Sequence, residues 1–125
     1  MAEILKIDDL MVVSLETYGA HPEGNCEMSR FRPVTIADIR NGVGKTIFPN
    51  GKMIENPSNE DYLEMLGGDY WLFYDIVRVT HDVGDRYTLT LFWVKADKRR
   101  GVESVKEKKK MVLDLNECYP QSQPF

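Results

Sequence analysis

Two cysteines and two histidines are the residues of this sequence whose chemistry suits nucleophilic catalysis. A thiol becomes a good nucleophile when an imidazole takes its proton and a third group orients that imidazole. Cys26 would need His21 or His81 for this role, and nothing in the sequence places them together. His81 also lies among acids and a glycine that suit a hairpin turn for conformational reasons alone. The sequence therefore predicts no catalytic residues, and an enzyme built on the segment 21–27 is the least favoured hypothesis.

The same segment contains several types of metal ligand. His21, Glu23, Cys26 and Glu27 fall within seven residues, and imidazole and thiolate are ligands that zinc prefers. Their spacing, with or without His81, matches no structural zinc pattern. We interpret the stretch as a solvated loop at about 18–29, and the sequence predicts neither a metal site nor a cofactor.

A glycine-rich stretch at 41–46, NGVGKT, has the residue types of a phosphate-binding loop. That motif requires a glycine five residues before Gly44, where this chain has Ile39, and a helix directly afterwards. The chain continues instead into IFPNGK, which is typical of a hairpin. The stretch is therefore predicted to be a turn before a strand.

Basic residues concentrate in the segment 95–110, which has eight basic and three acidic residues in a chain of net charge −4. Clustered lysine and arginine side chains supply most non-specific affinity for nucleic acid. A charged loop between strands also keeps a sheet edge from aggregating, and this second interpretation is favoured. The candidate binding residues in the segment are Lys98, Arg99, Arg100, Lys106, Lys108, Lys109 and Lys110.

Aromatic residues crowd two segments, 70–74 and 87–93, that are predicted to form the central strands. Most of them are expected in the core, because the strands are strongly apolar. Tyr70 and Tyr74 share the less apolar face with Thr88 and Thr90, so they are added to the candidate binding residues. Exposed there, they could stack on bases or anchor a partner.

The elements that would position these residues follow from the apolar periodicity. Strands are predicted at 10–15, 70–80, 87–95 and 111–115, with a loop at 81–86. A hairpin is predicted around Asn50 and Gly51. A turn of helix capped by Thr35 should end at Asn41 and Gly42, and a second helix, capped by Ser58 with Asp61, should run from about 58 to 66. The sequence predicts an α+β fold, a mixed or antiparallel sheet of five to six strands with one short capped helix packed on it.

Length and composition favour a single domain over residues 1–125, with a short polar tail from about 119. The sequence shows no secretory signal and no apolar run of about 20 residues that could cross a bilayer. A cytoplasmic protein that does not enter membranes is therefore expected. Cys26 and Cys118 are expected as free thiols, although the sequence leaves a disulfide between them open.

The leading functional hypothesis is a small non-enzymatic interaction protein, such as a regulator, inhibitor or immunity-type partner of an unknown target protein. The alternative is a nucleic-acid-binding module that uses the basic segment 95–110. Homodimerisation through strand edges is left open.

Overall fold

The computed structural model describes residues 7–19, 29–66, 71–97 and 99–115. Its described strands and helices, with two additional 3₁₀ turns at Ile7–Asp9 and Glu64–Leu66, follow one another in this order. They are β1 Met11–Val13, α1 Leu15–Tyr18, β2 Ser29–Arg30, β3 Val34–Thr35, α2 Ile36–Asn41, β4 Thr46–Ile47, β5 Met53–Ile54, α3 Asn59–Leu63, β6 Trp71–Val83, β7 Arg86–Asp97 and β8 Gly101–Asp114.

Three long antiparallel strands, β6, β7 and β8, form the centre of the fold and pair in chain order. The two central strands were predicted, but the predicted loop 81–86 is too long. His81 pairs with Tyr87 inside the ladder, and only Gly84 and Asp85 form the turn. The acids of this segment are compatible with strand because the Thr88 hydroxyl donates to Asp82 Oδ2 at 2.8 Å, so one carboxylate is satisfied locally.

The basic segment is strand rather than loop, which corrects the expectation for 95–110. β8 begins at Gly101, ten residues before the predicted strand at 111–115. Lysine has a low strand propensity, but the outcome depends on burial and neighbours. On an edge strand the charged side chains reach water while residues such as Leu113 pack inward.

The remaining strands complete a six-stranded mixed sheet in the order β5-β4-β6-β7-β8, with β2 pairing in parallel with β6. The predicted hairpin around Asn50 and Gly51 is confirmed as β4 and β5, and Gly51 takes a positive φ of 94° in its turn. β1 and β3 form a separate two-stranded sheet. The predicted α+β class and strand number are confirmed.

Both predicted helices are present with their caps. Thr35 and Asp38 form a capping box at α2, and Ser58 and Asp61 form one at α3, where the side-chain and backbone bonds from Ser58 hold the pKa of Asp61 below its usual value. α3 itself is shorter than predicted, because the chain tightens into a 3₁₀ turn at Glu64–Leu66.

The first predicted strand, 10–15, is only partly correct. β1 ends at Val13, and α1 follows because the Ser14 hydroxyl accepts from the Thr17 amide at 3.2 Å, as a helix cap does.

The central sheet is covered on both faces. On the first face, β1, α1, β3 and α2 pack over the half of the sheet that contains Val77, Val79, Leu89 and Leu91. On the second face, α3 and the 3₁₀ turn after it pack over the other half. The second cluster includes Phe48, Met65, Leu72, Tyr74, Ile76, Val94 and Ala96.

Candidate interaction surface on strand β8

β8 is an edge strand that pairs with β7 on one side only within the described residues. Two β-bulges interrupt its register. Lys95 pairs with Ser104 and Ala96 with Val102, which leaves Glu103 as an extra residue. Leu91 pairs with Lys109 and Phe92 with Glu107, which leaves Lys108 as a second one. Bulges bend a strand and redirect side chains, so the lysines of β8 cannot all play the same part.

Lys108, at the second bulge, turns inward to α1. Its Nζ donates to the Thr17 carbonyl oxygen at 3.0 Å and lies 5.6 Å from the centroid of the Tyr18 ring and 5.8 Å from that of Trp93. Partial burial, with the neighbouring charge of Lys109, lowers the pKa of Lys108. Lys108 was predicted to be a binding residue, but its contacts attach α1 to the sheet.

Asp75 lies beneath the same cluster, opposite Trp93 on the neighbouring strand. Its side chain is 4% exposed, and Oδ1 has no hydrogen-bond partner among the described residues. Burial raises the pKa of Asp75 to about 7, although the charge of Lys108 acts in the opposite direction. The sheet therefore encloses a carboxyl group that costs free energy to ionise.

The Tyr18 hydroxyl joins α1 to the backbone of β6 and β7. It accepts from the Phe92 amide at 2.8 Å and lies within hydrogen-bonding distance of the Ile76 and Phe92 carbonyl oxygens. Burial, with the nearby charge of Asp75, raises the pKa of Tyr18 strongly. These three polar groups, from Tyr18, Asp75 and Lys108, hold the N-terminal elements on the first face.

Three other lysines of β8 have no such anchor. The side chains of Lys106, Lys109 and Lys110 are exposed and make no hydrogen bond or ion pair within the described part of the chain. Arg99 and Arg100 are exposed in the turn before β8, where their amides donate to Asp97 Oδ1. These five residues form the cationic surface that the structure presents.

The remaining predicted binding residues fall elsewhere. Lys98 and Tyr70 lie outside the described residues, as do His21, Cys26 and Cys118. Tyr74 was predicted on an exposed face, which is wrong. Its side chain is fully buried under α3 and donates to the Tyr62 carbonyl oxygen at 2.8 Å. The helix covers this half of the second face, so Tyr74 is not available to a partner.

Arg78 is a cation that the sequence analysis missed. It pairs with Thr90, which pairs with Lys110, so the three residues form a row across the half of the second face that α3 does not cover. Strand spacing puts the Cα atoms of Arg78 and Lys110 about 10 Å apart. The Arg78 guanidinium lies 5.0 Å from the centroid of the Phe92 ring and lines a pocket of about 190 Å³ with Thr46 and Thr80. Strand alternation counted from Tyr74 would have placed Arg78 on this face.

The surface also has apolar positions. Val105 and Val112, both on the second face of β8, are 38% and 68% exposed. A mixed surface of lysine and valine along one strand differs from a purely charged edge, because the valines gain from contact with another chain.

The described residues show no catalytic arrangement. No group of three histidine, cysteine, aspartate or glutamate side chains converges within them. His81 makes a hydrogen bond to the Gly84 carbonyl oxygen at 2.7 Å in its turn. The stretch 41–46 forms the predicted turn before β4, in which the Gly44 amide donates to Val79 at 2.9 Å and so is not available to a phosphate. No helix among the described residues is long and apolar enough to cross a membrane.

Comparisons with protein-family models, curated proteins and solved structures gave no significant match. The function is therefore argued from the surface of the molecule.

Proposed function

We propose that this protein is a non-enzymatic interaction module, a regulator, inhibitor or immunity-type partner, that binds an acidic protein through strand β8. One observation supports the proposal above the others. A 14-residue edge strand combines exposed Lys106, Lys109 and Lys110 with exposed Val105 and Val112. Charged side chains steer an acidic partner to this edge and exclude basic ones, while the valines provide apolar contact.

A nucleic-acid-binding module is the second candidate, and Arg78 favours it. The row from Arg78 to Lys110 extends the cationic surface over an open half of the sheet. Single-stranded nucleic acid also needs aromatic rings on which bases can stack. In the described residues Phe92 and Trp93 are half-buried and Tyr74 is in the core. The cationic surface therefore has charge for a phosphate backbone but no exposed stacking platform, and a protein partner fits it better.

The test compares three forms of the protein as baits in a lysate of the source cells, with and without nuclease. The first is the wild type. The second carries Lys106→Glu, Lys109→Glu and Lys110→Glu, and it keeps Lys108. The third is a matched control in which Arg40, Lys45 and Lys52, which are remote from β8, are changed to glutamate, so that its net charge equals that of the second.

The proposal expects an acidic protein, identified by mass spectrometry, that the wild type and the matched control retain after nuclease treatment and the β8 variant loses. Capture that nuclease abolishes, together with salt-sensitive binding to short purified RNA or DNA, would favour the second candidate instead. Equal retention by all three forms would mean that β8 is not the interface. Cytoplasmic location and homodimerisation stay predictions.

A further inference from the structure

The outer side of β8 is a row of backbone groups as well as a charged surface. An antiparallel strand directs alternate pairs of N–H and C=O groups to either side, so half of those in β8 point away from β7. At the start of the strand this side is occupied, since the Val102 amide donates to Asn59 Oδ1 of α3 at 3.3 Å. Beyond it, no described strand pairs with β8.

The bulges determine which part of this edge is regular enough to accept another strand. After the extra residue Lys108, the register with β7 runs without a shift from Lys109, opposite Leu91, to Asp114, opposite Arg86. These six residues span about 20 Å, which is an ordinary strand length. We define the residues 109–114 as the open edge.

The side chains of the open edge specify what could lie beside it. Lys110 and Val112 are exposed on the second face, and Lys109 is exposed on the first. Directly opposed opposite charges and directly opposed branched side chains stabilise strand pairs, whereas like charges destabilise them. An added strand should therefore carry a carboxylate beside each lysine and an apolar side chain beside Val112.

We infer that the acidic partner binds by strand addition, with an extended segment of alternating acidic and apolar residues pairing along the open edge of β8. This inference rests on the proposed function and states how the partner is held. A second copy of this chain is a worse occupant, because pairing two β8 strands would bring the lysines of both to one edge. The lysines thus prevent indiscriminate pairing, and an acidic strand removes that barrier.

The experiment uses the whole protein, labelled with ¹⁵N, and the peptide acetyl-Glu-Val-Glu-Val-Glu-Val-Glu-amide as the probe at low salt. One control peptide has the same sequence with N-methyl groups on alternate residues, which removes backbone donors on one side and keeps the charge. A second control replaces glutamate by lysine. Amide hydrogen exchange in β8 is the readout, because charge contact alone does not protect backbone amides.

The inference expects at least about tenfold slower exchange of amides in the open edge with the unmodified peptide, equivalent to 1.4 kcal/mol. It expects no such change with either control peptide.

Three outcomes would overturn it. Equal binding of the unmodified and N-methylated peptides without new protection would leave the acidic interface in place but refute strand addition. Absence of binding, while the β8-dependent partner is still captured from lysate, would do the same. Protection that rises with protein concentration alone would identify a second copy as the occupant. Loss of both peptide binding and β8-dependent capture would refute the proposed function as well.

Discussion

Individual lysines of β8 have different environments that the sequence does not distinguish. The run from Lys108 to Lys110 looks uniform, yet the bulge turns Lys108 towards Thr17, Tyr18 and Trp93 and leaves its neighbours in water. A hydrogen bond to a charged donor contributes about 1.5–3 kcal/mol, and a lysine near aromatic faces adds to it.

We therefore expect Lys108→Ala to lower the free energy of unfolding by about 1–3 kcal/mol, measured by urea denaturation. Lys109→Ala, the matched control one residue on, should change it by less than about 0.5 kcal/mol. Equal effects of the two substitutions would show that Lys108 is not an anchor.

Asp75 gives the protein a predictable dependence on pH. Its pKa is about 7 in the folded protein and about 3.9 in an unfolded chain. Between these values the folded state holds a proton that the unfolded state has released, so stability falls as the pH rises and the full loss is reached above pH 7. Below about pH 4 both states are protonated and the effect is absent.

Asp75→Asn should flatten this decline and raise the melting temperature at pH 8 relative to wild type, by a free energy of at most about 4 kcal/mol. Thermal melts of both proteins from pH 4 to pH 8 test this. Asp82→Asn, at an exposed aspartate, is the control and should keep the wild-type slope. A variant at position 75 that declines like the wild type would contradict the assignment.

At the scale of elements, the sequence predicts local chemistry well and strand extent poorly. Thr35 with Asp38 and Ser58 with Asp61 are complete signals within four residues, and both helices begin where those signals stand. β8 has no comparable signal, because its strand character comes from pairing with β7 and from water beyond the edge. Bulges are also hidden, since one inserted residue leaves composition unchanged while it reverses which face follows.

The lysines of the open edge should keep β8 from pairing with other copies. Lys109→Thr with Lys110→Thr retains strand propensity but removes the charge, so we expect faster self-association without loss of folded stability. Light scattering on warming measures the association, and circular dichroism checks the fold. The control Lys109→Arg with Lys110→Arg should stay as dispersed as the wild type. Unchanged scattering of the threonine variant would show that charge does not protect this edge.

Across the whole molecule, the class of the fold was predictable because apolar periodicity survives in the two central strands. The candidate site was predictable only in part, since Tyr74, expected on the surface, is covered by α3, while Arg78 joins Lys110 across β7. Both facts depend on which elements cover each half of the second face. That is decided by contacts between distant parts of the chain, which no local pattern records.

The bonds of the Tyr18 hydroxyl also determine an order of events during folding. β6, β7 and β8 are consecutive, so their pairing needs only short loops, whereas Tyr18 reaches Ile76 and Phe92 from 58 and 74 residues away. Because closing long loops is entropically costly, the three strands should pair before α1 docks.

Tyr18→Phe should consequently accelerate unfolding while the refolding rate stays close to that of the wild type, as stopped-flow kinetics in urea would measure. A refolding rate that falls in step with stability would instead place α1 in the folding nucleus. The clasp that completes the native sheet is thus also the first contact expected to release it.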